Sequence, residues 1–283
     1  MRRLAAWLSV FASLGCGEIL GLDGYETANT SSVATVGSGG QGGSAATGTG
    51  AGGSASLCGA YCQLVLEDKP MGYWRLGEGP GKTEAIDEMG AYPGAYAPRT
   101  GTLTLGQASL TSEMDTAARI DNDAPGLVAV RVDDGPYFPG RTTFTLEVWV
   151  KPLDVQYAAM IEKHDLGLAD ALEQGYVLTY DAPNLFRFGR IANDDYDTIT
   201  APLPVVAAIY HVVATYDGND MCLFVNGEQK SCAVSPLQLV AINRPLAMGR
   251  EMSSGVLDEV AVYNSALSQE QIAWHYRVGQ NGR

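Results

Sequence analysis

The sequence has little positive charge. Its 18 Lys and Arg residues stand against 32 Asp and Glu residues, which gives a net charge of -14. Beyond Arg2 and Arg3, no stretch gathers basic residues into a cluster. An acidic surface of this kind repels phosphate groups. DNA, RNA and anionic membrane surfaces are therefore excluded as partners of the folded part, and the charge favours solubility outside the cell.

The common catalytic motifs are also missing. There is no G-x-S-x-G, no phosphate-binding loop, no glycine fingerprint after a strand and no H-E-x-x-H pair. The three histidines, His164, His211 and His275, are far apart in sequence. The acidic stretch at 193–197, NDDYD, lacks the glycine and the distant Glu of an EF-hand loop. We therefore predict that the protein is not an enzyme.

No apolar run reaches the length of about 20 residues that a membrane span needs. Residues 1–16 instead combine a basic start with a short apolar segment, which is typical of a secretory signal. Gly15 and Cys16 at its end resemble the processing site of a bacterial lipoprotein, in which the cysteine is acylated. Ser13 and Leu14 depart from that pattern, and an ordinary secretory signal with an incidental Cys16 is the alternative. The resemblance implies an exported envelope protein, either an outward-facing outer-membrane lipoprotein or a periplasmic one, that touches the membrane only through its lipid.

Residues 17–57 follow, and from residue 27 onward they consist almost entirely of Gly, Ser, Thr and Ala. Such a composition cannot bury a core and behaves as a flexible coil. Thirty such residues span roughly 30 Å root-mean-square. We expect a tether that carries a globular domain at 58–283.

Cysteine is scarce but patterned. If Cys16 carries lipid, four of the five cysteines remain, and an exported chain is expected to oxidise them. Cys58 and Cys62 are expected to pair in one small loop. Cys222 and Cys232 flank the hairpin signal Asn226-Gly227. They would face each other across a three-residue loop and be off by one across a two-residue loop, and we favour the former.

Strand signals dominate the globular part. Phe144–Pro152, FTLEVWVKP, alternates strictly and predicts a central strand. About a dozen short strands are separated by turn residues, and only one helix is expected, from Ser268 with Gln271 completing its capping box and Gly279 ending it. The pattern predicts an all-β fold of two antiparallel sheets with one short C-terminal helix.

Four stretches, in this order and spacing, are similar to one family: YWRLGE at 73–78, FTLEVWVKP at 144–152, YHVVATYDG…LFVNGE at 210–228 and GVLDEVAVYNSALSQEQI at 255–272. They resemble the laminin G-like, concanavalin A-like jelly-roll domains of bacterial surface proteins. The resemblance covers about 64–278. It implies carbohydrate or protein binding, often with a structural calcium ion. The E-x-D-x-x-E pattern of the related glycosidases is absent.

One candidate site concerns calcium. Asp258 lies in a strand whose alternation places it with Val256, Val260 and Val262 on a core face, where a carboxylate needs a partner. One hypothesis is a structural Ca²⁺ held by Asp258, Asp121 and backbone carbonyls. The alternative is a buried Asp258 that hydrogen-bonds a turn or the C-terminal helix.

The other candidate site concerns a ligand. Glu147 and Trp149 share one face of the central strand, where Trp149 would stack on a sugar and Glu147 would bind its hydroxyl groups. The alternative is that Trp149 belongs to the core and Glu147 pairs with a neighbour such as Lys151.

Together these observations predict a lipid-anchored surface protein that binds polysaccharide or a surface protein without catalysis. A structural envelope protein with no soluble ligand is the alternative, and a glycan-degrading enzyme is the third hypothesis. The sequence leaves the oligomeric state open.

Overall fold

A computed structural model describes residues 58–97, 102–121, 128–133, 142–167, 172–203 and 205–281. All of them belong to the second of the two parts into which the chain divides, Gly53–Arg283. Cys16, the signal segment and the tether predicted at 17–57 lie outside the described residues. Neither described helix has the length and apolarity that a membrane crossing requires.

Sixteen strands and two helices make up the described part of the chain. They are β1 Gly72–Trp74, β2 Glu84–Ala85, β3 Gly94–Tyr96, β4 Thr102–Ala108, β5 Thr116–Asp121, β6 Val130–Val132, β7 Phe144–Pro152, β8 Ala158–Asp165, β9 Gln174–Asp181, β10 Leu185–Ala192, β11 Asp195–Pro202, β12 Tyr210–Tyr216, β13 Asp220–Val225, β14 Glu228–Val234, β15 Leu246–Arg250 and β16 Gly255–Tyr263, with α1 Ala60–Glu67 and α2 Gln269–Asn281.

The strands form two antiparallel sheets of eight. The first sheet has the order β14-β13-β12-β7-β16-β5-β4, with β1 also paired to β16. The second sheet has the order β11-β10-β9-β8-β15-β6-β3-β2. The predicted two-sheet antiparallel sandwich is confirmed.

The predicted central strand β7 lies in the middle of the first sheet, between β12 and β16. One of its faces, with Phe144, Leu146, Val148 and Val150, is buried in the core between the two sheets. The ring of Phe144 meets Tyr176 and Phe188 of the second sheet at centroid distances of 5.1 and 6.0 Å. The apolar residues of the alternating pattern in β7 are therefore those that face the opposite sheet.

The other face of the first sheet is covered by helices, and one of them was not expected. Helix α1 packs with α2 over Trp149, Val213 and Tyr263 in a second apolar cluster. The side chain of Glu113, from a loop far along the chain, accepts hydrogen bonds from the amides of Tyr61 and Cys62 at 2.7 and 3.1 Å. Because this N-terminal cap comes from a distant residue, no local capping motif announces α1.

Helix α2 begins as predicted but does not end as predicted. The hydroxyl of Ser268 accepts from the Gln271 amide at 3.2 Å, and the Gln271 side chain accepts from the Ser268 amide at 2.9 Å. The helix then runs through Gly279 to Asn281. Gly279 is not a stop signal: a Cβ there would overlap the ring of Trp149 and lie 3.0 Å from Tyr61 Cδ2. The glycine permits the helix to approach the sheet closely.

The disulfides are Cys58–Cys62 and Cys222–Cys232. The strand register that brings Cys222 and Cys232 together differs from the one expected. Val225 pairs with Glu228, so the loop has two residues rather than three, and a bulge between Leu223 and Phe224 restores the register. The bulge places the two cysteines directly opposite each other, with their Cα atoms 4.2 Å apart.

Candidate functional site

The predicted sugar-binding pair lies beneath the helices. Glu147 is 0% exposed and Trp149 is 2% exposed. The Trp149 ring contacts Tyr61 of α1 and Tyr276 of α2, each at a centroid distance of 5.9 Å. The hypothesis that Glu147 and Trp149 bind a sugar is therefore wrong, because α1 and α2 occupy the space that a sugar would need.

Glu147 is instead the centre of a buried polar network. Its Oε1 accepts from the hydroxyl of Tyr61 at 2.9 Å and lies 2.7 Å from Nε2 of His211 and 2.9 Å from Nδ1 of His275. Its Oε2 accepts from the hydroxyl of Tyr263 at 2.7 Å. The proposed pairing with Lys151 is replaced by partners from two helices and two neighbouring strands.

The two histidines of this network carry different charges. Burial tends to lower the pKa of His275, but the negative charge of Glu147 and a 2.9 Å hydrogen bond to Asp68 raise it to about 10. Burial lowers the pKa of His211, despite its bond to Glu147. Burial would raise the pKa of Glu147, yet the charge of His275 and the hydrogen bonds from both histidines hold it well below its usual range. At neutral pH, His275 is therefore an imidazolium ion between two carboxylates, and His211 is neutral.

Asp258 does not share a face with Val260 and Val262, because β16 contains a bulge between Asp258 and Ala261. Val260 and Val262 face the core between the sheets, whereas Val256 belongs to the cluster under the helices. Asp258 is 0% exposed, and its Oδ2 accepts from the Leu110 amide at 2.7 Å and from the Ser109 hydroxyl at 2.9 Å. The alternative of a buried carboxylate that ties down a loop matches these contacts.

Asp121 and Asp258 do not converge on one point. Gly255 pairs with Ile120, so Asp121 lies opposite residue 254, four positions or about 13 Å along the strand from Asp258. Asp121 is engaged by Arg119 at 2.7 Å and by the Ser254 hydroxyl at 2.7 Å. This pair therefore does not fit the calcium ion that the family resemblance implies.

The outer face of the second sheet is the alternative location for a ligand, because both described helices pack on the first sheet. Two cross-strand rows define this face: Ala247, Glu162, Val177, Gly189 and Thr198 in one, and Arg250, Ala159, Thr179, Arg187 and Thr200 in the other. Leu178 and Tyr180, on either side of Thr179, belong to the core, so Thr179 and its row point outward.

Six residues form what we call the polar patch of this face: Tyr157, Glu162, Thr179, Asp181, Arg187 and Arg250. Arg250 donates to Glu162 at 2.7 Å, and Arg187 donates to both carboxylate oxygens of Asp181 at 3.1–3.2 Å. Between these pairs, the fully buried hydroxyl of Thr179 has no hydrogen-bond partner within the described residues.

Tyr157 supplies the aromatic surface of the polar patch. It is 41% exposed, and burial of its remaining surface together with the charges of Glu162 and Glu251 raises its pKa. An exposed ring near two oriented ion pairs is suited to binding a polar ligand that has an apolar face.

Two clefts lie elsewhere, along α2 and the β13–β14 hairpin. Their volumes are about 460 and 390 Å³, and both are lined by Asn226, Glu228 and Tyr276. Asn226 is committed to the fold, since its side-chain oxygen accepts from the His211 amide at 3.0 Å. The Tyr276 ring stacks on Trp149 and His211.

The polar patch was not predicted from the sequence, and one signal for it was present. Strand β9, QGYVLTYD, alternates buried Tyr176, Leu178 and Tyr180 with a mixed outer series that includes Thr179 and Asp181. The position of Glu162 could not be read in this way. Relative to β9, strand β8 has an extra residue at Met160, and both Met160 and Ile161 therefore point inward.

The fold is that of a lectin-type β-sandwich. The family described as the concanavalin A-like lectin/glucanases superfamily matches residues 127–273, more than half of the chain. The chain belongs to this superfamily, which confirms the resemblance seen in the sequence. No match was found among curated protein sequences.

Solved structures with the same fold include toxin domains. The binding domain of botulinum neurotoxin serotype D aligns with a TM-score of 0.57 and 14% identity over 74% of this chain and 52% of that one. The binding domain of Paraclostridial Mosquitocidal Protein 1 aligns with a TM-score of 0.55 and 13% identity over 72% of this chain and 51% of that one. The ligand-binding domain of botulinum neurotoxin serotype D, in complex with N-acetylneuraminic acid, aligns with a TM-score of 0.56 and 12% identity. This alignment covers 76% of this chain and 52% of that one. The chain spans about half the length of these structures, and the likeness shows the fold alone.

Proposed function

We propose that the protein is a carbohydrate-binding module of the cell envelope, anchored by lipid on Cys16 and displayed by its tether. The observation that carries the proposal is the polar patch, in which the exposed ring of Tyr157 lies near two oriented ion pairs on a sheet face that no described helix covers. A related fold that holds N-acetylneuraminic acid supports a sugar as the ligand.

The net charge of the chain indicates which class of glycan would bind. With -14 on the chain, an acidic glycan would be repelled. Arg187 and Arg250 are already paired with Asp181 and Glu162, so neither is an uncompensated cation for an acidic sugar. We therefore expect neutral glycans to bind more tightly than acidic ones.

Catalysis is not part of the proposal. Glycosidases place two carboxyl groups about 5–9.5 Å apart. Glu162 pairs with Val177 across the strands, four positions or about 13 Å from Asp181 along β9. Each carboxylate of the polar patch is also engaged by an arginine.

A glycan array probed with the purified full chain tests the proposal. Saturable binding to neutral glycans is expected, with no release of reducing sugar. The absence of binding both to the array and to envelope polysaccharide extracts would favour the alternative of a structural envelope protein.

The anchor is tested separately by fractionating cells that express the chain or its Cys16→Ser variant. We expect the wild-type chain in the membrane fraction with an acylated N-terminal peptide, and the variant in the soluble fraction. Equal partitioning of the two would contradict the lipid anchor without affecting the sugar site.

A further inference from the structure

A buried acidic cluster lies at the junction of β1, β16 and the loop before β5. It contains Glu113, Asp115, Asp258 and Glu259, and the one cation that contacts it within the described residues is Arg75. The exposed side-chain fractions of Arg75, Glu113 and Asp115 are 3%, 4% and 1%. Charges at this depth need close compensation, since solvent does not screen them.

Three of these carboxylates have the spacing of a metal site. Glu113, Asp115 and Glu259 each offer one oxygen, and the three oxygens lie within 4.8 Å of one another. Oxygen ligands at 2.3–2.6 Å from a Ca²⁺ ion span about this distance. Next to them, the fully buried Oδ1 of Asp258 has no hydrogen-bond partner, and Asp258 is near enough to Asp115 for the Asp115 charge, after burial itself, to raise its pKa.

The centre of this donor set is occupied by a side chain. Nη2 of Arg75 lies 2.7 Å from Glu113 and also contacts Asp115 and Glu259, while its Nε lies 3.3 Å from Glu259. A metal ion among the same oxygens would overlap the guanidinium group. The carboxylates that could hold calcium therefore already hold a cation of the chain itself.

We propose that Arg75 takes the place of a divalent cation in this cluster, so that the domain folds without calcium and loss of the Arg75 charge uncovers a calcium site. The arrangement also connects the cluster to the N-terminal helix. Glu113 accepts from the α1 amides with one oxygen and from Arg75 with the other, so Arg75 orients the cap of α1.

The test compares thermal unfolding of the full chain in EDTA and in about 5 mM calcium, a concentration above the weakest dissociation constants of protein calcium sites. Wild type and Arg75→Lys are expected to unfold at the same temperature in both buffers. Arg75→Ala and the milder Arg75→Gln are expected to unfold earlier in EDTA and to recover by about 5 °C or more in calcium. Adding Asp115→Asn to Arg75→Gln should abolish the recovery.

Terbium luminescence gives a second readout, because the hydroxyl of Tyr73 donates to Glu259 and places a sensitising ring at the cluster. Arg75→Gln should show terbium emission that Asp115→Asn removes, and wild type should not. The proposal is overturned if calcium stabilises the wild type and Asp115→Asn removes that effect. It is also overturned if neither neutral variant responds to calcium or terbium, including the case in which both stay unfolded in calcium.

Discussion

Nδ1 of His275 lies 2.9 Å from Oε1 of Glu147, and both side chains are 0% exposed. This ion pair joins α2 to the central strand of the first sheet. Nε2 of His275 also bonds Asp68 at the end of α1, so one imidazolium connects both helices to the sheet. Because each nitrogen donates to a carboxylate, the buried charge is fully partnered.

Replacing Glu147 with Gln should strongly destabilise the protein. The introduced Gln side chain is neutral, so His275 would keep only Asp68 as a carboxylate partner. It also has one acceptor oxygen, whereas both oxygens of Glu147 accept hydrogen bonds in the network. Breaking a buried ion pair in this way costs about 3–5 kcal/mol. Urea unfolding followed by circular dichroism measures the loss.

The matched control is Glu228→Gln, whose carboxylate pairs with Lys230 at the surface and is 75% exposed. Surface pairs of this kind contribute about 1 kcal/mol or less. Equal stability losses for the two variants would contradict a central role for Glu147.

The stability of the protein should decrease in alkaline solution. The pKa of His275 is raised from 6.5 to about 10 on folding, so the charged histidine stabilises the native state fully below pH 6.5. This contribution, on the order of 5 kcal/mol, is lost as the pH rises towards 10. Unfolding free energies measured between pH 6 and 10 test the slope.

His275→Gln serves as the control for this pH dependence. The variant should be less stable at pH 6 and should lack the decrease in stability that His275 causes. Its stability should rise slightly above pH 6, because the pKa of His211 is lowered by burial, and should fall near pH 10, because burial raises the pKa of Tyr61 and Tyr263. A wild-type profile with the same slope as that of the variant would show that His275 is not the titrating group.

Gly279→Ala should destabilise α2 although alanine is the better helix former by about 1 kcal/mol. The new methyl group would overlap Trp149 and contact Tyr61, both of which are buried. Overpacking of this kind costs about 1–3 kcal/mol. Gln280→Ala, at the exposed neighbouring position, should be neutral or stabilising, and thermal unfolding distinguishes the two variants.

Within the polar patch, Tyr157→Ala should weaken glycan binding about tenfold through loss of the stacking surface. Trp274→Ala is the matched control, because Trp274 is 43% exposed against 41% for Tyr157 but lies on α2. Isothermal titration with the best array ligand gives the dissociation constants.

Glu228→Ala and Lys230→Ala separate the polar patch from the two clefts along α2. Glu228 lines both clefts and Lys230 lines the smaller one, and both residues belong to β14 of the first sheet. If they weakened binding and Tyr157→Ala did not, the ligand would be assigned to the clefts.

The strands were predictable where their pattern is simple. Phe144–Pro152, Tyr210–Tyr216 and Gly255–Tyr263 have the bounds expected from alternation and turn residues. Strands β2, β3, β4, β11 and β15 were missed. Strand β11 includes part of the acidic stretch 193–197, and β15 has Gly249 in its interior. Acidic residues and glycine are typical of turns, so the composition of both segments predicted turns instead of strands.

The sequence by itself determined the fold class, because many short alternating strands with a single predicted helix leave a second sheet as the main layer against which their apolar residues can be buried. Only the tertiary structure decided that both described helices cover the first sheet and that neither covers the second sheet. The cap of α1 by Glu113, the ion pair of Glu147 with His275 and the contact of Arg75 with Glu259 all join residues far apart in the chain. Bulges at Met160 and Asp258 then changed which side chains point outward, and no local pattern encodes them. For this reason the candidate ligand face was found on the second sheet, whereas the sequence had pointed to Glu147 and Trp149 on the first.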